Sequence, residues 1–382
     1  MHNMAKIALV IIAGLAFAGA TAAQTPKTTS AANTPEHWQT QEGDFVVHDF
    51  HFHDSETMQD LRLHYTTLGK PERDAQGRIT NAVLILHGTG GTGYQFLRPV
   101  FAGVLFGPGQ ILDSSKHFII LPDDIGHGKS SKPSDGLRMK FPKYDYADMV
   151  QGEYDLVTEG LHVNHLRLVM GTSMGCMHSW MWGEAHPQFM DALMPLACLP
   201  VEIAGRNRMT RKMITDLIED DPAWDNGNYT SEPVSGLRAS QDVELLMVSS
   251  PLYWQTEYPT REAADAFLAS SLEERLKGLD ANDLIYAFNA SRDYNPEPEL
   301  GKITAPLIAI NSADDFVNPP ELHIDERLIH KVPHGPFVLL PITSQTRGHG
   351  THTLAAVWKA YLAQLLAESS HKTHSTSAAS IH

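Results

Sequence analysis

Six short apolar runs recur along the chain: Ala82–His87 (AVLILH), His117–Pro122 (HFIILP), Leu166–Met170 (LRLVM), Ala192–Leu199 (ALMPLACL), Pro306–Ile310 (PLIAI) and Phe337–Pro341 (FVLLP). Uninterrupted apolar runs of this length predict strands buried on both faces. Longer amphipathic stretches separate them, at Tyr144–Leu161, Met174–His186, Pro320–Ile329 and Thr351–Leu366. In the last of these, Leu354, Val357, Trp358, Tyr361, Leu362 and Leu365 recur at helical spacing. Strands alternating with helices predict an α/β fold, with a mostly parallel sheet covered by helices on both faces. Upstream, Phe45, Val47, Phe50, Phe52, Leu61, Leu63 and Tyr65 alternate with polar residues. That period predicts two strands joined by a turn near Asp54–Glu56.

The alternation stops between residues 201 and 303, where helical stretches surround a loop-like DNGNYTSEP. This segment interrupts a core at residues 44–200 and 304–368, and we read it as an inserted helical lid. At the N-terminus, Lys6, an apolar run from Ile7 to Ala20 and small residues through Ala23 form a secretory signal peptide pattern over residues 1–23. The expected location is therefore secreted or periplasmic. Residues 24–43 read as a flexible leader, and residues 369–382 as a disordered polar tail.

Acidic residues outnumber basic ones 45 to 29, for a formal charge of -16. Such a surface repels phosphate backbones and anionic lipid, so no nucleic-acid partner is expected, and no membrane contact once the signal is removed. Cys176 and Cys198 are the only cysteines. An exported protein can oxidise such a pair, but two small buried thiols are favoured here.

The chemistry centres on Gly171-Thr172-Ser173-Met174-Gly175, directly after LRLVM and before an apolar helical stretch. In G-x-S-x-G the serine sits on a sharp strand-to-helix turn, with the glycines permitting close backbone approach. A serine needs a base, and the base needs an orienting acid. Both belong at later strand ends. Asp314 and Asp315 follow PLIAI, and His349 follows FVLLP, with His352 beside it. One aspartate is expected to cap the helix opening at Pro319 or Pro320. Oxyanion donors are expected at the Met174 N–H and the Thr89 N–H of the HGTGG loop. No metal or cofactor is required. His48, His51 and His53 lie close together but lack further ligands, and are read as exposed strand residues.

From Asp44 to Leu366 the chain resembles the homoserine O-acetyltransferase group of the α/β-hydrolases. The stretches that carry the likeness are LHYTTLGK, NAVLILHGTGG, YDYADMVQGEYDL, LVMGTSMGCMHSWMWGEAHP, RKMITDLIEDDPAWDNGNY, SADDFVNPP and RGHGTHT. The resemblance implies an α/β-hydrolase fold with a helical lid, Asp315 as the acid and His349 as the base. Arg211, Trp224 and Tyr229 are the substrate-contact candidates from the lid. Two departures stand out: Gly350 replaces the acidic residue usual after the histidine, and the first loop reads HGTGG. The expected function is a secreted serine hydrolase that cleaves a small-molecule ester through an acyl-enzyme. The alternative is an O-acyltransferase acting on a small alcohol. A homodimer is compatible with either.

Overall fold

The computed structural model describes residues 38–378. The signal-peptide segment, most of the leader and residues 379–382 of the tail lie outside the described residues. The chain builds eight strands: β1 (Thr40–His51), β2 (Thr57–Leu68), β3 (Ala82–Leu86), β4 (Phe118–Pro122), β5 (Leu168–Thr172), β6 (Leu193–Leu196), β7 (Ala309–Ser312) and β8 (Phe337–Leu340). They form one sheet in the order β1-β2-β4-β3-β5-β6-β7-β8. β1 pairs antiparallel with β2, and β2 antiparallel with β4. All other pairings are parallel.

The central strands are continuous apolar runs because both faces are covered. Along β3, Leu84 and Leu86 join one core layer, while Val83 and Ile85 join the other. The first layer receives α2 (Tyr146–Asp155) and α3 (Met174–Ala185), through Met149, Val150, Trp180 and Trp182. The second receives α1 (Ala102–Leu105) and α10 (Ala355–Ala378), through Leu105, Trp358, Leu362 and Leu365. Asp145 and Asp148 form a reciprocal capping box that starts α2.

Between β6 and β7 the insertion folds as α4 (Gly205–Glu219), α5 (Val234–Met247), α6 (Pro251–Glu257), α7 (Arg261–Leu276) and α8 (Ala281–Asn289). It has its own core of Ile214, Ile218, Leu237, Leu284, Ile285 and Phe288.

Several expectations need correction. β1 begins at Thr40, so the leader does not extend to residue 43. β7 lies later than Pro306–Ile310, and β8 is an edge strand in which only Leu340 is buried. The helix expected over Pro320–Ile329 is broken: His323 takes φ 49° between a 3-10 turn and the short α9 (Ile324–Leu328). The tail is not disordered from residue 369, because α10 continues to Ala378. Arg167 donates there to the Leu366 carbonyl and to Ser369 and Ser370. Cys176 and Cys198 are not free thiols but a disulfide, with Cα atoms 5.8 Å apart. β5 and β6 run parallel side by side, so the start of α3 and the end of β6 fall within bridging distance.

The bridge closes a loop between positions 22 apart in sequence. Replacing both cysteines with alanine should lower the unfolding free energy by about 2–4 kcal/mol in a denaturant titration. An unchanged midpoint would show that the two sulfurs are not joined.

Candidate active site

Ser173 occupies the single residue between β5 and α3, at φ 56° and ψ −109°. A non-glycine residue in such a region costs about 1–3 kcal/mol, so the surroundings must hold it there. The Ser173 N–H donates to the Leu196 carbonyl at 2.9 Å, and the Gly175 N–H to the His87 carbonyl at 2.8 Å. The glycines are sterically required. A Cβ on Gly171 would lie 2.1 Å from the Gly175 carbonyl oxygen, and one on Gly175 2.1 Å from that of Leu86.

His349 reaches the serine from the loop after β8. Gly348 before it takes φ 59°, where a Cβ would press to 2.6 Å from the Ser249 carbonyl. The Ser173 hydroxyl lies 2.9 Å from His349 Nε2, and His349 Nδ1 lies 2.8 Å from Asp315 Oδ2. Asp315 also accepts from the Val317 N–H at 2.7 Å and from Asn318 Nδ2 at 3.0 Å. Burial alone would raise the Asp315 carboxyl. The neighbouring His349 and these donors outweigh it and leave Asp315 below its ordinary value.

Asp314 does something other than cap the following helix. It accepts from Ser250 Oγ at 3.0 Å and from the Gly348 N–H at 2.9 Å, and so ties the histidine loop to the start of α6. No side chain caps the turn at Pro320. His352 packs edge-on to His349 with ring centres 5.0 Å apart. Burial and His349 push its imidazole down to about 3, so it is neutral and outside the relay.

Both expected oxyanion donors sit beside the serine. Met174 is the first residue of α3, so its N–H has no partner within the helix. Gly88, next to Thr89, lies so close that a Cβ there would be 3.3 Å from the Ser173 Cβ. The Thr89 carbonyl is held by His127 Nε2 at 2.8 Å.

A cavity of about 340 Å³ opens over Ser173 and His349. Thr89 and Gly350 from the core line it, as do Arg211, Glu244, Arg275 and Phe288 from the insertion. Arg211 is 3% exposed, and it donates to Asn207 Oδ1 at 2.9 Å and Ser291 Oγ at 3.2 Å, both neutral groups. Its guanidinium also lies over the Phe288 ring. A larger, mostly apolar cavity of about 400 Å³ lies across Val317, and Ser173 does not line it.

Residues 81–334 match the family model for the alpha/beta hydrolase fold. The chain belongs to the α/β-hydrolase family. Among its relatives is a probable acyltransferase of Methanothermobacter thermautotrophicus, 29% identical over 73% of this chain and 84% of that protein. A homoserine O-acetyltransferase of Moorella thermoacetica is 26% identical over 71% of this chain and 80% of that protein. Of solved structures, an acetylester hydrolase from Corynebacterium glutamicum superposes with a TM-score of 0.75 at 21% identity, covering 85% of this chain and 96% of that one. The neighbourhood of this α/β-hydrolase thus contains both acyl-transferring and ester-hydrolysing enzymes.

The structure brings Ser173, Asp315, His349, Thr89, Met174 and Arg211 to one place in the hydrolase. It does not bring Trp224 and Tyr229. Trp224 Nε1 donates to Asn282 Oδ1 at 2.9 Å, and the Tyr229 hydroxyl accepts from the Asn282 N–H at 3.2 Å. Their rings pack on the insertion's own core, so they support the insertion rather than line the cavity. Glu244, Arg275 and Phe288 escaped the sequence reading because a charged or aromatic residue on an amphipathic helix carries no mark of the cavity it will face. His48 and His53 do pair with carboxylates, Asp60 at 2.7 Å and Asp145 at 3.0 Å, but they share no common centre.

Asparagine substitution separates the two aspartates. Asp315→Asn should cost about ten-thousand-fold in turnover of an activated ester, the loss typical when a triad histidine is left in the wrong tautomer. Asp314→Asn should cost far less. The reverse order in measured kcat would reassign the acid.

Proposed function

We propose that this α/β-hydrolase is an exported carboxylic ester hydrolase working through an acyl-enzyme on Ser173. The reading is carried by one observation, the unbroken relay from Ser173 Oγ through His349 to Asp315 at the mouth of a cavity. In this mechanism His349 takes the serine proton as Oγ attacks the ester carbonyl. Asp315 holds the Nδ1–H tautomer and stabilises the imidazolium that forms. The Met174 and Thr89 N–H groups receive the oxyanion of the tetrahedral intermediate. Collapse expels the alcohol, which takes the proton back from His349. Water then repeats the sequence and frees the acid.

Three features favour water over another acyl acceptor. Gly350 leaves the position after His349 without a carboxylate. The HGTGG loop resembles the oxyanion loop of ester hydrolases more than that of the transferases. The signal-peptide pattern would carry the chain away from acyl-CoA pools, and the Cys176–Cys198 bridge suits an oxidising compartment. A second reading, transfer to a small alcohol, draws support from Arg211. A buried guanidinium with only neutral partners suits an acceptor that bears a carboxylate.

Purified mature protein should hydrolyse short-chain p-nitrophenyl esters, and Ser173→Ala should remove about a million-fold of that rate. With acetyl-CoA and homoserine it should release little thiol. Rapid homoserine-dependent release of CoA with negligible ester hydrolysis would make the transferase the correct reading.

A further inference from the structure

Beneath the catalytic loops lies a group of titratable side chains that the mechanism above does not use. Asp124 follows β4, Glu153 lies on α2 and His178 on α3, all fully buried, with ligand-type atoms within 4.8 Å of one another. Glu153 is well supplied with donors: His178 Nδ1 stands 2.7 Å from Oε1, and Trp182 Nε1 donates to Oε2 at 2.5 Å. The Asp124 carboxyl accepts no hydrogen bond from any described residue. The other titratable groups around it are His87 from the end of β3, Asp123 beside it, the buried Tyr144 before α2 and, beyond His87, His127; none of them is a lysine or arginine. Two ionised carboxylates there would place two unneutralised charges in the dry interior, which costs several kcal/mol per ion.

We propose that Asp124 is held as a neutral acid that shares its proton with ionised Glu153, and that this neutral acid is a positioning residue for the oxyanion loop. Burial pushes the Glu153 carboxyl up to about 7 even against its hydrogen bonds, and Asp124, which has no donor of its own, is the group left to hold the proton. Burial and the neighbouring Glu153 carboxylate both act in that direction on Asp124. The link to the site runs through His87. The Asp124 N–H donates to His87 Nε2 at 3.1 Å, which leaves Nδ1 as the protonated nitrogen, donating to the Gly88 carbonyl at 2.8 Å. The Gly88 carbonyl and the Thr89 N–H belong to one planar trans peptide, so fixing the carbonyl on one side aims the N–H to the other. Asp124 Oδ2 stands only 3.5 Å from His87 Nε2. An ionised Asp124 would favour the tautomer with the ring proton moved from Nδ1 to Nε2, which abolishes the Asp124 N–H bond and the Nδ1 donation together and leaves the Gly88 carbonyl to the Gly91 N–H alone, at 2.8 Å.

This proposal rests on the hydrolase reading for its kinetic consequence but not for its thermodynamic one. An acid held protonated in the folded state contributes stability that is full below the ordinary carboxylate range and is lost as pH rises through its raised folded value. Wild-type protein and Asp124→Asn, which mimics the neutral acid, should therefore differ in slope. Between about pH 5 and about pH 9 the wild-type unfolding temperature should fall more steeply than that of Asp124→Asn. In ester hydrolysis Asp124→Asn should keep kcat within about threefold of wild type, whereas Asp124→Ala should lose about a hundredfold in kcat with KM little changed. Equal pH slopes, an asparagine variant as damaged as the alanine variant, or an alanine variant of full activity would each overturn the proposal. So would one equivalent of bound metal in the wild type that Asp124→Asn lacks. If no ester is turned over, the hydrolase reading fails, and the unfolding slopes still decide this one.

Discussion

The whole site depends on one strained residue. Ser173 can hold its positive φ only because β3 and β5 lie side by side, with Leu86 opposite Gly171. That pairing brings the Leu86 and His87 carbonyls against the first turn of α3, where Gly175 alone leaves room for them. It also places the Thr89 loop beside Ser173. Chain order departs from spatial order at this point: β4 flanks β3 on one side and β5 on the other. Sites in open α/β sheets form at such a switch point, outside the carboxyl ends of the strands. The disulfide adds a covalent tie between the first turn of the nucleophile helix and the end of β6.

Around this point the protein handles buried charge in three different ways. Asp315 is kept ionised by His349 and by several donors, which suits an orienting acid. His352 is kept neutral by burial and by His349, and it packs edge-on against the His349 imidazole. Arg211 is buried among neutral partners at the cavity wall, where an anionic group of a ligand would meet it with little solvent to screen the pair. In the same cavity lining Arg275 lies 3.7 Å from Glu244, so its charge is paired, unlike that of Arg211.

Most of this was legible in the sequence because it follows from short-range chemistry. Continuous apolar runs reported the inner strands, and G-x-S-x-G in its strand-to-helix setting reported the elbow. Standing after late strands singled out His349 and the Asp314–Asp315 pair, and the family resemblance singled out Asp315 within it. The reading failed where tertiary contacts override local pattern. FVLLP is as apolar as the inner strands, yet it lies at the sheet edge, since nothing in a run encodes its place in the order. The helix runs on past residue 369, where Arg167, distant in sequence, donates to the Leu366 carbonyl and to the Ser369 and Ser370 hydroxyls. Trp224 and Tyr229 looked like substrate contacts, but Asn282 on α8 takes up their polar tips. The Cys176–Cys198 bridge and the Asp124–Glu153 pair join residues whose proximity only the parallel sheet creates.

The central claim is that Ser173 is a nucleophile activated by His349. Treating the folded protein with a small fluorophosphonate and mapping the adduct by peptide mass spectrometry tests it without any assumption about substrate. The account predicts one adduct, on Ser173, formed quickly in the wild type and at a greatly reduced rate in His349→Ala. An adduct on another residue, or equal labelling rates in the two proteins, would contradict it.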